Sequence, residues 1–397
     1  MGERPSLTSA ETSGHQAVLP EAVLSPPPDH SARAAVVHEW LLTRGGSEKV
    51  TLHLLRTLPH ADLYAAIFDP REFRELEDRR VRTTFLDRVP GARRHYRHLL
   101  PLMSLAYEQL DLAGYDLVIS SSHSCAKNVL TGPGTYHLCY CHTPMRHAWE
   151  PAKLRGEHTG RLPRAVLPPV MSRLREQDLA GAARVDRFLA NSRHVAARIR
   201  KYYRRKAEVV HPPVDVEALL TRERRGGGPY LVVSRLVPYK RVDLAVDACT
   251  RLGRELVVVG EGRERERLEA MAGPSVSFVG AVDDAELGER LAACRGLLFP
   301  GEEDFGIVPV EAQAAGAPVI AYGLGGVLDS VVDGVTGLFF SEQTTGSLAD
   351  AILRFEGLSL DPEDARRQAA RFRPERFYRE LRAAIELGPE DVPAAGR

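Results

Sequence analysis

The sequence predicts an α/β protein of two doubly wound domains, each a parallel sheet between helices, facing each other across a cleft. Three observations predict it. Short apolar runs alternate with longer amphipathic stretches along nearly the whole chain, the pattern of strands and crossover helices. Most of those runs are continuous rather than alternating, as strands covered on both faces should be. The length, 397 residues, exceeds what one ordinary core fills, so two domains are expected.

Taken in order, residues 1–32 are rich in Pro, Ser and Ala. They are expected to be disordered, and they lack the apolar core of a signal peptide. Residues 33–212 form the first domain, with strand-like runs "AAVVHEW", "DLYAAIF", "YDLVISS", "YHLCYCH" and "RFLANS". The amphipathic "GSEKVTLHLLRTL" lies between the first two. Residues 213–228 read as a linker, because two prolines in "VVHPPVDVEALLTRERRGGGPY" are followed by a charged, triple-glycine run. Residues 229–375 form the second domain, with "PYLVVSRL", "ELVVVGEG", "VSFVGAV", "GLLFPGEED", "PVIAYG" and "GLFF". "RFRPERFYRELRAAIELG" reads as a closing amphipathic helix, with 376–397 as that helix and its tail.

Composition narrows the function classes. Lys+Arg and Asp+Glu both total 53, so no overall field points to nucleic acid. No apolar run approaches a membrane span. The five cysteines are Cys125, Cys139, Cys141, Cys249 and Cys294. They are few, odd in number and set in apolar runs, unlike a disulfide framework or zinc ribbon, and a reducing compartment fits them. No cluster of ligating residues suggests a metal.

Ligands of parallel α/β sheets bind beyond the carboxyl ends of the strands. The residues there are Gly45 and Gly46, His142, Arg235 and Lys240, then Glu303, Phe305 and Gly306. The richest stretch is "EDFGIVPVEAQAAGAPVIAYGLGG". Pro309 suits the first turn of a helix and Gly316 ends it, leaving free N–H groups near Gly306 and Ile307 as an anion site. Glu303 and Glu311 accept hydrogen bonds from hydroxyls. A ligand with both phosphates and hydroxyls, such as a nucleotide-sugar, satisfies both, with Arg235 and Lys240 neutralising its phosphates.

"EDFGIVPVE" with "SRLVPYK" resembles the donor site of family-four retaining glycosyltransferases of the two-domain GT-B type. "GGSEKV", "FLANSRHVAARI", "VVHPPVD", "VVVGEGRERERLE" and "GGVLDSVVDGVTGLFF" follow in the family's order. The resemblance implies two Rossmann-like domains, with the closing helix returning to the first. It implies metal-independent transfer from a nucleotide-sugar with retention. Arg235 and Lys240 then hold the diphosphate, Glu303 lies near the donor sugar, and Glu311 takes the ribose hydroxyls. Phe305, Gly306 and Ile307 give the backbone that meets sugar and phosphates. Gly45 and Gly46 close over the phosphates, and His142 lies close to the sugar. "SSSHSCAKNVL" and "YCHTPMRHAWE" look closer to a bacterial polysaccharide mannosyltransferase branch, whose usual donor is GDP-mannose. His123, Lys127 and Arg146 in those stretches are candidates for the acceptor side. The acceptor expected is a saccharide or lipid-linked saccharide, and the protein is expected to be cytoplasmic, at the inner membrane face if the Arg88–His98 segment docks there.

Two features keep two readings each. His123 and Lys127 are either a helix-start network or substrate contacts. The Arg88–His98 segment, with Arg93, Arg94, Arg97 and His95, is either a solvated face or a dock for an anionic membrane or lipid diphosphate. Rival functions also stand. "VVVGEGRERERLE" suggests a dinucleotide oxidoreductase, although Arg265 occupies its third glycine position. A UDP-sugar transferase, an epimerase or phosphorylase of the same fold and a non-catalytic nucleotide-sugar binder complete the set.

Overall fold

The computed structural model describes residues 33–150 and 167–389. The expected disorder of residues 1–32 falls outside them, as does the tail beyond Pro389. Within the described residues lie two parallel sheets. The first contains β1 (Ala34–His38), β2 (Asp62–Ala65), β3 (Val81–Thr83), β4 (Leu117–Ser122), β5 (Tyr136–Cys141), β6 (Arg187–Ala190) and β7 (Glu208–Val209). The second contains β8 (Tyr230–Val233), β9 (Leu256–Val259), β10 (Val276–Gly280), β11 (Leu297–Phe299), β12 (Val319–Tyr322) and β13 (Gly337–Phe340). Their orders are β3-β2-β1-β4-β5-β6-β7 and β10-β9-β8-β11-β12-β13. In each, the order reverses between the first strand and its partner, at β1/β4 and β8/β11. Those two switch points are where a doubly wound sheet opens a crevice for ligand.

The continuous apolar runs are explained by burial on both faces. In β1, Val36 packs with Leu54, Leu63 and Ile119 on one side. Its neighbour Val37 packs with Tyr64, Tyr107 and Val118 on the other. Each such side chain contributes about 1.5–3 kcal/mol through burial. The second sheet repeats this. Val232 and Ile320 lie in one cluster, and Leu231 and Val319 in the other.

The expected linker is packed rather than a free tether. Its apolar Val214 and Val216 are buried with Phe305, Val310 and Phe372. Glu217–Leu220 forms one helical turn. The glycines take the left-handed turn that the charged run needs, with φ of 60° at Gly226 and 74° at Gly227.

The closing helix, Pro374–Glu386, returns to the first lobe. Phe377, Leu381 and Ala384 join the cluster of Val36, Leu54 and Tyr140. Tyr378 Oη lies 2.7 Å from His53 Nδ1, and Tyr136 Oη donates to the Ala384 carbonyl at 3.1 Å. The last helix among the described residues therefore completes the first core. Phe377→Ala should cost about 3–5 kcal/mol, read as a lower urea midpoint. An unchanged midpoint would show that the first lobe stands without this helix.

Candidate active site

The second lobe presents two loops at its switch point, one after β8 and one after β11. Glycines fix both by allowing close backbone approach. A Cβ at Gly260 (φ 126°) would fall 1.9 Å from the Ser234 carbonyl oxygen, and one at Gly262 would fall 2.3 Å from that of Leu236. Leu236 N–H also donates to the Glu261 carbonyl at 2.8 Å. The glycines of "VVVGEG" are thus filled by the loop that carries Arg235. They leave no room for a dinucleotide's phosphates, which removes the basis of the oxidoreductase reading. The paired glycines after β12 act likewise. A Cβ at Gly326 would meet the Asp304 carbonyl oxygen at 2.1 Å and Phe305 Cα at 2.4 Å. Gly326 N–H donates to the Glu303 carbonyl at 2.8 Å.

On these loops Lys240 Nζ pairs with the Glu303 carboxylate. Arg235 is exposed and donates to Tyr239 Oη at 2.8 Å. Gly306, at φ 88°, caps the helix Ile307–Ala314, with Pro309 in its first turn. Gly316 follows its end at φ 76°. Glu311 lies on this helix, 3.6 Å from Lys49 Nζ of the first lobe. Burial pushes its carboxyl above the usual carboxylate range, with Lys49 opposing. The Phe305 side chain is buried. Its ring lies 5.6 Å from that of His211 and 5.5 Å from that of Phe372, so only its backbone is free to face the cleft.

The first lobe brings its glycine loop to the same place. A Cβ at Gly46 would lie 2.9 Å from Ile307 Cδ1, and one at Gly45 would lie 2.6 Å from Glu48 Oε2. Beneath the loop runs a buried polar chain. His38 Nε2 is 3.4 Å from Glu48 Oε1. His38 Nδ1 is 2.9 Å from Thr51 Oγ1 and 3.1 Å from Ser121 Oγ. Ser121 Oγ is 2.8 Å from His142 Nε2. Burial first, then the nearby His123 and His38, hold the His142 imidazole well below its ordinary pKa and neutral.

Two family profiles match the chain. Residues 44–218 match Glycosyltransferase Family 4, and residues 224–372 match Glycosyl transferases group 1. The chain belongs to the family-four glycosyltransferases. Among curated relatives, D-inositol 3-phosphate glycosyltransferase of Mycobacterium leprae is 30% identical over 224 residues, covering 50% of this chain and 52% of the relative. The enzyme of that name in Mycobacterium tuberculosis is 31% identical over 169 residues, covering 37% and 35%. The matched stretch thus spans about half the length of the first of these relatives or less. Solved structures share the GT-B fold. Sucrose-phosphate synthase from Thermosynechococcus elongatus superposes with a TM-score of 0.67 at 19% identity, covering 89% of this chain and 98% of that one. Anabaena HepE in complex with UDP-glucose gives 0.65 at 16%, covering 89% and 99%.

For a family-four glycosyltransferase, the structure gathers Gly46, Lys240, Glu303, Gly306, Ile307 and Glu311 around one cleft. It corrects one acceptor-side assignment. Lys127 is only 1% exposed. Its ammonium pairs with Asp178 and donates to the Ser124 carbonyl at 2.7 Å. A lysine so enclosed is structural and out of a saccharide's reach. Arg146 is committed to Asp304, at 2.5 Å, and lies over the Tyr239 ring at 5.7 Å. It lines a cavity of about 240 Å³ between the lobes, with Glu150, Arg198, Tyr239, Arg241 and Glu303. His123 keeps partial exposure and its ring stands 6.4 Å from that of His142.

Sequence reasoning missed Asp304, although it sits inside "EDFG". Arg198 of the first lobe also bonds it, at 2.7 Å. Ser192 Oγ donates to its carbonyl at 2.5 Å and caps Val195 N–H at 3.1 Å. Burial resists the charge, but Arg146 and Arg198 outweigh it and hold the Asp304 carboxyl below its ordinary pKa. The sign follows. Its stabilisation is complete above about pH 4, the unfolded value, and is lost as pH falls through the lower folded value. Asp304→Asn should therefore cost about 3–5 kcal/mol at pH 7, and the gap from wild type should shrink below about pH 4. Urea titrations at both pH values check this. A gap independent of pH would assign the loss to shape rather than charge.

Proposed function

We propose that this protein is a retaining hexosyltransferase that moves mannose from GDP-mannose to a saccharide or lipid-linked saccharide. One observation carries the transferase part of this reading. The Lys240–Glu303 pair and the amino end of the Ile307 helix meet the Gly46 loop of the opposite lobe. That arrangement offers cations and N–H groups to a diphosphate and a carboxylate to the hydroxyls of its sugar. The mannose and guanine part rests on "SSSHSCAKNVL" and "YCHTPMRHAWE" alone. A UDP-sugar donor is the second reading, favoured by the likeness to a fold solved with UDP-glucose.

In the proposed reaction the diphosphate leaves the anomeric carbon as an oxocarbenium-like state develops, and the acceptor hydroxyl attacks from the same face. Charge grows on the phosphate oxygens, so Arg235, Lys240 and the helix terminus stabilise the transition state more than the ground state. The departing phosphate takes the acceptor's proton. Glu303 orients the sugar and His142 contacts it from the other lobe. Lobe closure excludes water and limits hydrolysis. No metal enters the scheme. Among the described residues, no group of three or more His, Cys, Asp or Glu could hold one.

The test is a thermal-shift screen of GDP- and UDP-sugars followed by transfer assays with product analysis, which separates transfer from epimerisation. Run with a chelator present, Lys240→Ala and Arg235→Ala should each lower turnover about a hundredfold or more and leave the melting temperature close to wild type. Near-normal turnover in either variant would remove the diphosphate clamp.

A peripheral position at the cytoplasmic membrane face is part of the same proposal. No helix among the described residues is long and apolar enough to cross a membrane. Arg88, Arg94, Arg97 and His98 are exposed, whereas Arg93 has Asp69 at 3.9 Å and Asp87 at 3.6 Å. Of the apolar residues that follow, Met103 is buried, and Leu99 and Leu100 pack on the core. Leu102 and Leu105 are exposed, at 47% and 46%. Each exposed cation contributes about 1 kcal/mol near an anionic surface at low salt. Arg88, Arg94 and Arg97 changed together to Gln should weaken binding to anionic liposomes and leave nucleotide binding unchanged. Added salt should mimic the change. Wild-type protein that ignores such liposomes at low salt would make this a solvated face.

A further inference from the structure

We propose that Trp40, flanked by Tyr96 and His123, is the stacking wall of an acceptor subsite that takes a pyranose ring on the first lobe. This rests on the glycosyltransferase reading and names the acceptor's chemistry. Trp40 follows β1 and His123 follows β4, the two strand ends at the switch point of the first sheet. The indole lies 4.7 Å from the His123 ring, edge to face, and 4.9 Å from the Tyr96 ring. All three side chains are half-buried. Trp40 and Tyr96 rest against the first core and keep part of their surface uncovered. The His123 ring is 6.4 Å from that of His142, the residue assigned to the donor sugar. The platform therefore begins one ring away from the donor.

The fold devotes a fully buried carboxylate to holding this platform. Glu39, immediately before Trp40, is 0% exposed. Its Oε1 accepts from the backbone N–H of His123 (3.1 Å), Ser124 (2.6 Å) and Ala126 (3.0 Å), and from Ser122 Oγ (3.0 Å). Its Oε2 accepts from Cys125 N–H at 3.0 Å. Tyr107 Oη reaches the carbonyls of His38 at 2.9 Å and Glu39 at 2.5 Å. A buried charge is costly unless so satisfied. What it fixes is the relation of the Trp40 loop to the His123 loop. Rigid support beneath half-exposed rings suits a binding surface.

The chemistry selects a sugar. A pyranose has an apolar C–H face that packs on an indole and an edge of hydroxyls. An aromatic with a polar rim serves such an amphipathic ligand. The imidazole of His123 supplies that rim, and burial keeps it neutral, below its ordinary pKa. A neutral imidazole both donates and accepts, which matches a hydroxyl.

The experiment has a binding arm and a turnover arm. The chain has two tryptophans, so Trp40→Phe leaves Trp149 as the background emission. Titrating methyl α-mannopyranoside, methyl β-glucopyranoside and methyl β-galactopyranoside in the presence of GDP or UDP should give a saturable emission change. The change should appear in wild type and be absent in Trp40→Phe. In transfer assays with p-nitrophenyl glycosides of the same sugars, Trp40→Ala should raise acceptor KM at least tenfold. Trp40→Phe should recover most of that. Donor-induced thermal stabilisation should be the same in all three proteins. Silence of Trp40 toward every pyranoside overturns the platform, whether or not transfer occurs. So does a response to decyl phosphate without one to the pyranosides, or an unchanged acceptor KM in folded Trp40→Ala. Failure of the glycosyltransferase reading looks different: wild-type protein gains no stability from any nucleotide-sugar and transfers nothing, while the emission arm still reports on Trp40.

Discussion

The carboxylate of Asp304 is the constraint on which the cleft depends. Two guanidiniums from the first lobe, Arg146 and Arg198, converge on it at 2.5 and 2.7 Å. Its side chain is only 15% exposed, so removing either partner type would strand charge away from water. Its neighbours in sequence serve other contacts. Glu303 turns to Lys240, and the Phe305 ring joins His211 and Phe372. Three consecutive side chains thus go to Lys240, to the opposite lobe and to the cluster around Phe372. The acid assigned to the donor sugar cannot shift without disturbing how the lobes dock. Arg193 reinforces the docking with a 2.5 Å bond to Asp329, whose second oxygen takes the Arg193 N–H at 2.7 Å, at the positive end of a helix.

The glycines divide into two kinds, and the division bears on function. Gly260, Gly262, Gly325 and Gly326 would each drive a Cβ into backbone atoms of a neighbouring loop. They set where Arg235 and Glu303 stand and touch no ligand in the proposed reaction. Gly46 alone among the motif glycines would meet a side chain of the opposite lobe, Ile307. A flexible contact of that sort can yield when the lobes part, whereas the backbone contacts cannot.

The strands were legible because burial on both faces leaves a continuous apolar run, as in "AAVVH" and "LVVV". The placement of Arg235, Lys240 and Glu303 at the switch point was legible because each follows an apolar run that forms a central strand. What was not legible depends on distant partners. Lys127 in a polar run reads as a surface lysine, and its partner Asp178 is 51 residues away. Asp304 meets arginines 158 and 106 residues away, with no local pattern to mark the pairing. Glu39 gave no signal either, since one acid after a strand looks solvated. The packing of segment 213–228 was not legible because its proline and glycines outweighed Val214 and Val216. Apolar residues two apart next to a proline pair mark a chain crossing a surface.

A neutral His142 limits how the work of the proposed reaction is shared between the lobes. His38 Nε2 faces the Glu48 carboxylate and so carries a hydrogen toward it. Burial resists the charge on Glu48, but the bond from His38 and the nearby His38 and His123 together outweigh it and lower the carboxyl's pKa. Thr51 Oγ1 lies 2.9 Å from His38 Nδ1 and 3.0 Å from both the Ser47 carbonyl and Ser121 Oγ, and Ser121 Oγ lies 2.8 Å from His142 Nε2. A neutral imidazole so held can bond a sugar hydroxyl, but it adds no positive charge opposite the leaving diphosphate. That charge must then come from Lys240, Arg235 and the Ile307 helix terminus, all on the second lobe. The first lobe supplies orientation and exclusion of water. A first-lobe cation near the anomeric carbon would compete with those groups for the diphosphate and would oppose the positive charge growing on the sugar. Burial that strips His142 of its proton avoids both.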